Sequence, residues 1–274
     1  LKITENDINN LKKISNEIRK NIIEEVYNAQ SGHPGGALSS VEILTALYFN
    51  QMNIDPERPK DENRDRFVLS KGHASAGLYA TLAERGFFEK EELKDFRKLG
   101  SILQGHPDMK HIPGVDMTSG SLGQGLSAAN GMAMASKLDQ KGYRVYCLVG
   151  DGEIEEGQIW EAAMTSSHYK LDNLCVIVDN NNLQIDGEIS EVMSVYPIKE
   201  KFQSFGFEVF EVNGNDIDEL ITVFQKAKTV KNKPTAIIAK TIKGKGVNFM
   251  ENQVSWHGKA PKEEEYKLAI EELK

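Results

Sequence analysis

The chain is poor in cysteine, with two, Cys147 and Cys175, in 274 residues. A disulfide scaffold or a zinc ribbon needs more. Each cysteine lies in an apolar run, Val145 to Val149 or Leu174 to Val178, so both are expected as buried core thiols. That fits a reducing, cytoplasmic compartment. Positive charge is not in excess: 33 basic residues face 41 acidic ones, a net of −8. General nucleic-acid binding calls for a basic stripe and is not expected. No apolar run approaches the ~18 residues of a membrane span, and no membrane partner is expected. Leu1 to Asn10 is polar and charged, without the apolar stretch of a signal peptide. There is no internal repeat, no Pro/Gly/Ser-rich linker, and no Gly-x-x-x-x-Gly-Lys phosphate loop. What remains is an ordinary soluble composition, 39% apolar with 23 glycines, in a length suited to one or two domains.

Ile8, Leu11, Ile14, Ile18, Ile22 and Val26 step by three or four residues and predict one long amphipathic helix. A Gly-Pro-Gly loop, Ser31 to Gly36, follows, then helical patterns over Ser39–Phe49, His73–Arg85 and Glu89–Leu99. Ile54 to Asp65 is rich in charge and proline and reads as a surface excursion. Gly100 to Gly125 is loop-like and leads into a helix of small residues, Leu126–Leu138. Strands are predicted at Arg66–Ser70, Arg144–Val149, Leu174–Asp179, Phe207–Val212 and Pro234–Thr241. Helices at Gln158–Tyr169 and Ile198–Phe205, one capped by Asp216, and one opened by Pro261 complete the pattern. Apolar strands alternating with helices predict a parallel sheet covered on both faces, an α/β class in three layers. Ligands of such sheets bind outside the carboxyl ends of the strands.

Two strand ends carry chemistry. Gly150-Asp151-Gly152 follows one apolar strand, and Asp179-Asn180-Asn181-Asn182 follows the next, with one helix between. A βαβ unit sets such ends side by side. A carboxylate, an amide oxygen and a backbone carbonyl then suit Mg²⁺, which takes about six oxygens and keeps phosphate oxygens among them. Two ordinary turns would use the same residue types, since Asp, Asn and Gly all favour turns.

Four of the six histidines sit in loops beside glycine or proline: His33, His73, His106 and His257. Such loops let the backbone approach a ligand. His168 and His111 read as structural. Three of the four loop histidines also admit a zinc site, although no pair has the close helical spacing that supports one. Gly123, Gly125 and Ala128 match the dinucleotide pattern, but no apolar strand precedes them, so a glycine-rich turn setting a helix start against an anion or ring is the better reading.

In order, Ser31-Gly-His-Pro-Gly35, Arg64-Asp-Arg-Phe-Val-Leu-Ser-Lys-Gly-His-Ala74, Gly105-His-Pro107, Gly120-Ser-Leu-Gly-Gln-Gly125, Gly150-Asp-Gly152 through Asn181, and Trp256-His-Gly258 resemble the N-terminal half of transketolase, a thiamine diphosphate enzyme. The resemblance covers essentially the whole chain. Its Gly-His-Pro-Gly form argues against the sister family of deoxyxylulose-phosphate synthases. It implies a single diphosphate- and Mg²⁺-binding domain over 1–274, with Ca²⁺ or Mn²⁺ able to substitute. Asp151, Asn181 and the Leu183 carbonyl hold the metal in this reading. His73, the Gly152 amide and His257 contact the diphosphate, and Gly120 and Leu122 the aminopyrimidine end. His33, His106 and His257 line the donor-sugar channel. Glu156 and Glu161 match acidic residues proposed to couple two active sites, and Lys243 offsets phosphate charge. Glu153-Ile-Glu155 departs from less acidic family members and adds negative charge beside the diphosphate.

The implied reaction moves a two-carbon ketol unit from a ketose phosphate to an aldose phosphate. A full transketolase is more than twice this length. The resemblance therefore implies one subunit of a split enzyme, completed by a C-terminal subunit that carries the pyrimidine-binding domain, with two of each chain in a heterotetramer. Because the sugar-phosphate arginines lie on that partner, pentose phosphates, a sulfo-sugar or a branched sugar phosphate all remain open as substrates. The competing readings are a non-catalytic module that keeps the fold and a nucleotide-dependent dehydrogenase. Asp151→Ala is expected to leave the fold intact, as a strand-end ligand with little core packing.

Overall fold

The computed structural model describes residues 3–274. The helical stepping of Leu11, Ile18, Ile22 and Val26 becomes helix α1 (Glu5–Ala29). Its start is a capping box: the Thr4 hydroxyl accepts from the Asp7 N–H at 3.2 Å, and the Asp7 carboxylate accepts from the Thr4 N–H at 2.9 Å. The chain continues through α2 (Pro34–Leu38), α3 (Val41–Ala46), β1 (Arg66–Leu69), α4 (Ser75–Arg85), α5 (Gln124–Leu138), β2 (Val145–Gly150), α6 (Gly157–His168) and β3 (Leu174–Asn180). It ends with α7 (Ile189–Val192), α8 (Ile198–Ser204), β4 (Glu208–Asn213), α9 (Ile217–Thr229), β5 (Thr235–Lys240) and α10 (Glu263–Glu272).

The five strands form one parallel sheet in the order β1-β2-β3-β5-β4. Side chains alternate across it. Tyr146, Leu148, Cys175, Ile177, Ile237 and Ala239 face one layer with α1 to α4, α9 and α10. Val145, Cys147, Val149, Leu174, Val176, Val178 and Ile238 face the other, with α5 to α8. The result is the expected three-layer α/β/α arrangement. The two cysteines are free and buried, on opposite faces of the sheet. Parallel register puts Gly150 beside Asp179, so the strand ends that carry Asp151 and Asn181 are neighbours, as the motif spacing implied. No helix among the described residues is long and apolar enough to cross a membrane.

Several local expectations are corrected. The Ser31–Gly36 segment is not all loop, because Pro34 opens α2; its fixed φ and missing N–H suit the first helical position. The Ser39–Phe49 helix is split into α3 and a π-helical turn, Leu47–Gln51. Over Glu89–Leu99 only a 3₁₀ turn forms, Lys90–Asp95; Leu93 and Phe96, three residues apart, are its buried anchors, a spacing that suits three residues per turn. Pro261 lies just before α10, not in its first turn, and the Lys262 N–H is held by the Glu265 carboxylate at 2.7 Å. Helix α7 was not expected.

Two charges pin the start of β1. Arg64 makes paired bonds of 3.0 and 2.6 Å to the Asp116 carboxylate, which also accepts from the Phe67 N–H at 2.9 Å. This fastens the long segment before α5 to the sheet.

Candidate active site

All five strands end on one side of the sheet. A hollow of about 370 Å³ opens there, lined among others by Lys71, His73, Leu122, Asp151, Gly152, Asn181, Leu183, Lys243 and His257. Residues from five separate motifs thus meet in one place.

Asp151 follows β2 and is 2% exposed. Its carboxylate accepts from the Gly152 N–H at 2.9 Å, the Asn182 N–H at 2.6 Å and the Asn180 amide at 3.1 Å. Burial, with the charge of Asp179 behind it, pushes this carboxyl up to about 6. Asn181 donates its amide N–H to Asp179 at 3.1 Å. With its nitrogen committed, it turns its oxygen to the Leu183 N–H, 3.2 Å away. A carboxylate, an amide oxygen and a backbone carbonyl are donors of the kind that could hold a hard divalent cation. Among the described residues no group of three or more His, Cys, Asp or Glu side chains gathers to hold a metal, so the zinc alternative finds no support.

Two buried lysines that had no assigned place in the hollow, or only a loose one, shape its charge. Lys71, just past β1, donates to Asp179 at 2.5 Å and to the Gly36 carbonyl at 2.7 Å. Asp179 also accepts from Ser39 at 2.6 Å and from Thr241. Burial alone raises the Asp179 carboxyl; the Lys71 ammonium and the two hydroxyls outweigh it and hold the group below its ordinary value. Lys243 donates to the Leu183 carbonyl at 2.8 Å and to His257 Nδ1 at 2.9 Å. Burial lowers Lys243 to about 8, so it stays mostly protonated at neutral pH.

Three of the four loop histidines form a cluster, with ring centroids 5.2 Å (His33–His73), 5.5 Å (His33–His257) and 5.3 Å (His73–His257) apart. Burial, then neighbouring positive charge, lowers His33 to about 4 and His257 to about 3, and His73 falls well below its ordinary value. All three are neutral imidazoles at pH 7. Lys243 donating to Nδ1 places the proton of neutral His257 on Nε2. Arg97, to which the sequence motifs assign no role, lies 3.5 Å from His33 Nδ1 and donates to the Ser31 hydroxyl at 2.9 Å. His106 is more exposed and stands against the glycine-rich turn. A side chain at Gly120 would come within 2.9 Å of the His106 ring, so glycine permits this approach.

Glu156 reaches the rim of the hollow and is exposed; Glu161 is exposed on α6 and does not line it. Glu155 pairs with Gln184 at 2.8 Å. Glu153 lines the hollow, as the sequence placed it beside the diphosphate site, but its charge is tied down: the side chain is 3% exposed and its carboxylate accepts from the Gly150 and Gly123 N–H groups and the Ser70 hydroxyl.

Residues 10–273 match the family described as "Transketolase, thiamine diphosphate binding domain". The chain is 46% identical over 259 residues to one of the apulose-4-phosphate transketolase subunits of Phocaeicola vulgatus, covering 94% of this chain and 92% of that one. It is 45% identical to a 6-deoxy-6-sulfo-D-fructose transketolase subunit of a Clostridium species, over 94% of each. The solved transketolase of Campylobacter jejuni superposes with a TM-score of 0.91 at 38% identity; 97% of this chain is covered and 43% of that one. The chain thus spans less than half the length of that solved enzyme.

Proposed function

The chain belongs to the transketolase family, as its thiamine diphosphate-binding domain, and from that premise we propose that it is the N-terminal subunit of a split transketolase. With a C-terminal partner it transfers a two-carbon ketol unit from a ketose phosphate to an aldose phosphate. Residues 1–274 act as one diphosphate- and Mg²⁺-binding domain. The carrying observation is the convergence of Asp151, Asn181 and Leu183 oxygens with Lys71, Lys243, His73 and His257 around one hollow at the strand ends. The match to separate transketolase subunits over more than nine-tenths of their own length supports the split arrangement. A heterotetramer, two of each chain, is the assembly we expect, and two free buried thiols suit the cytoplasm.

The residues fit the cofactor. Asp151, the Asn181 amide oxygen and the Leu183 carbonyl hold Mg²⁺, and the Leu183 carbonyl has a second lone pair beyond the one used by Lys243. His73, the Gly152 N–H and His257 meet the diphosphate, with the Lys243 ammonium behind them. Gly120 and Leu122 wall the aminopyrimidine end. When bound, thiamine diphosphate supplies the nucleophilic thiazolium carbon and the electron sink for the two-carbon unit. The protein holds neutral imidazoles at the sugar, because burial and the neighbouring cations keep them unprotonated: His33 offers a ring nitrogen to a hydroxyl, and His257 offers its Nε2–H as a donor. His106 completes that wall. Glu156 and Glu161, exposed on one side, face a second copy and couple two sites.

His257→Ala is expected to lower kcat/KM by about a hundredfold, the scale of one lost hydrogen-bond donor to a developing oxyanion, with little change in Tm. Equal rates for variant and parent would make this histidine a bystander.

A second reading concerns the substrate. The names of the two subunit relatives describe sugars with an anionic group, one phosphorylated and one sulfonated. A branched sugar phosphate or a sulfo-sugar is therefore an alternative donor to the pentose phosphates.

The experiment is a mild affinity purification of the tagged chain from its native lysate with thiamine diphosphate and Mg²⁺, followed by mass spectrometry and assay against these donors. A stoichiometric second chain and turnover only in the complex are expected. Robust turnover by the pure chain alone overturns the split arrangement. Failure of the complex to bind thiamine diphosphate leaves the non-catalytic module in its place.

A further inference from the structure

Glu153 opens a 3₁₀ turn, Glu153–Glu155, directly after Gly150-Asp-Gly152, and its side chain turns inward. One carboxylate oxygen accepts from the Gly150 N–H at 2.9 Å. The other accepts from the Gly123 N–H at 2.8 Å and from the Ser70 hydroxyl. Each donor ends or starts an element. Gly150 is the last residue of β2 and precedes Asp151. Ser70 follows β1 and precedes Lys71. Gly123 is the N-cap of α5, with φ +85°, a conformation in which any other residue is strained. The two sides of this carboxylate border the hollow differently. Gly150, Asp151 and Gly152 form the wall assigned to the metal and diphosphate, and Leu122, next to Gly123, belongs to the glycine-rich wall. The Leu122 carbonyl is itself fixed by Gln158 at 2.8 Å. No other buried side chain among the described hydrogen bonds joins the Gly150 N–H to the Gly123 N–H.

We propose that Glu153 is a positioning residue: its carboxylate locks the diphosphate-facing turn to the glycine-rich wall and so sets the spacing at which both ends of thiamine diphosphate are gripped. The inference rests on the cofactor reading above. Glu153 also lines the hollow, but both of its carboxylate oxygens are taken up by the three donors, so it acts through the two glycine N–H groups. A carboxyl group presents two acceptor oxygens, and here one takes the Gly150 N–H while the other takes the Gly123 N–H and the Ser70 hydroxyl. A carboxamide of the same shape turns an NH₂ toward one set of them, and either the Gly150 N–H or the Gly123–Ser70 pair then loses its acceptor.

The test uses the complex recovered by the purification above. Thiamine diphosphate is titrated calorimetrically at fixed Mg²⁺ into parent, Glu153→Gln and Ser70→Ala, and Tm is recorded without cofactor. Glu153→Gln is expected to raise the dissociation constant about tenfold, the scale of one lost charge-assisted bond. Ser70→Ala, which removes one donor and leaves both N–H contacts, should raise it about threefold. At saturating cofactor kcat should stay within about twofold of the parent, since the reacting histidines are untouched. A dissociation constant for Glu153→Gln less than threefold above the parent, whatever its Tm, overturns the proposal and leaves a brace for the fold alone. If Glu153→Gln does not fold, Ser70→Ala carries the test, and affinity equal to the parent overturns it. A parent complex that does not bind thiamine diphosphate overturns the underlying cofactor reading instead, and this inference with it.

Discussion

Asp151→Asn is expected to weaken Mg²⁺-dependent binding of thiamine diphosphate by about a hundredfold or more, roughly 2.8 kcal/mol at 1.4 kcal/mol per tenfold. The carboxylate is the one anionic oxygen in the proposed ligand set, and the amide that replaces it brings no charge to the cation. Asparagine is the better probe than alanine. The sequence suggested that Asp151→Ala would spare the fold, but the side chain is buried and accepts from Gly152, Asn182 and Asn180. Alanine orphans three donors, each at a cost of about 1–3 kcal/mol if water does not reach them. Asparagine keeps the volume and one acceptor. It also removes a charge that burial and Asp179 already disfavour. Its Tm without metal should therefore stay close to the parent value. Calorimetric titration with and without Mg²⁺ checks this, and unchanged affinity removes Asp151 from the metal site.

Lys71→Met is expected to destabilise the protein by about 3–5 kcal/mol, the usual cost of removing one partner from a buried ion pair. At this chain length that is a fall in Tm of roughly 10 °C. The reason is Asp179, which has no exposed surface and loses the ammonium that holds its charge. In the parent, Asp179 sits below its ordinary value. Its contribution is therefore complete above about pH 4 and is lost as the pH falls through the depressed value. In the variant, burial governs and lifts the carboxyl. The penalty is then largest at neutral pH and shrinks as the pH falls and the group takes up a proton. Adding Asp179→Asn should recover much of the loss, because it removes the stranded charge. Thermal melts of parent, single and double variants at pH 7 and pH 5 decide it. A single variant that melts with the parent at pH 7 shows that the pair is not needed to hold the strand ends.

The two variants separate what each charge does. Asp151 and Asp179 stand at the ends of adjacent strands, both buried, and share a field. Asp179 is neutralised by the protein's own Lys71. Asp151 is hydrogen-bonded by neutral N–H donors, with the Lys243 ammonium near enough to feel its charge. In the proposed function, one carboxylate thus belongs to the scaffold and the next to the metal site.

The sequence by itself determined the sheet and the side of it on which the chemistry lies. Fully apolar runs such as Cys147–Val149 and Cys175–Val178 belong to strands buried on both faces, and the helices between them force parallel pairing. From that follow strand ends on one side and the adjacency of Asp151 and Asn181. The histidines were legible because each sits in its own glycine- or proline-marked loop. The start of the last helix at Glu263 was less so, because a shift of one or two residues changes no hydrophobic period, and the short helix at Pro34 and the 3₁₀ turn at Lys90–Asp95 are too brief to show a period of their own. Only the tertiary structure decided who neutralises whom. Lys71 meets Asp179 across 108 residues, Ser70 meets Glu153 across 83, and Arg97 reaches His33 across 64. Lys71, Ser70 and Arg97 look in sequence like ordinary surface charge or a turn hydroxyl. Their pairings depend on which strands lie side by side and how closely the connecting loops fold over them, and no local pattern encodes that. Burial then forces the outcome, since a charge or donor taken out of water must find its partner wherever the fold has placed one.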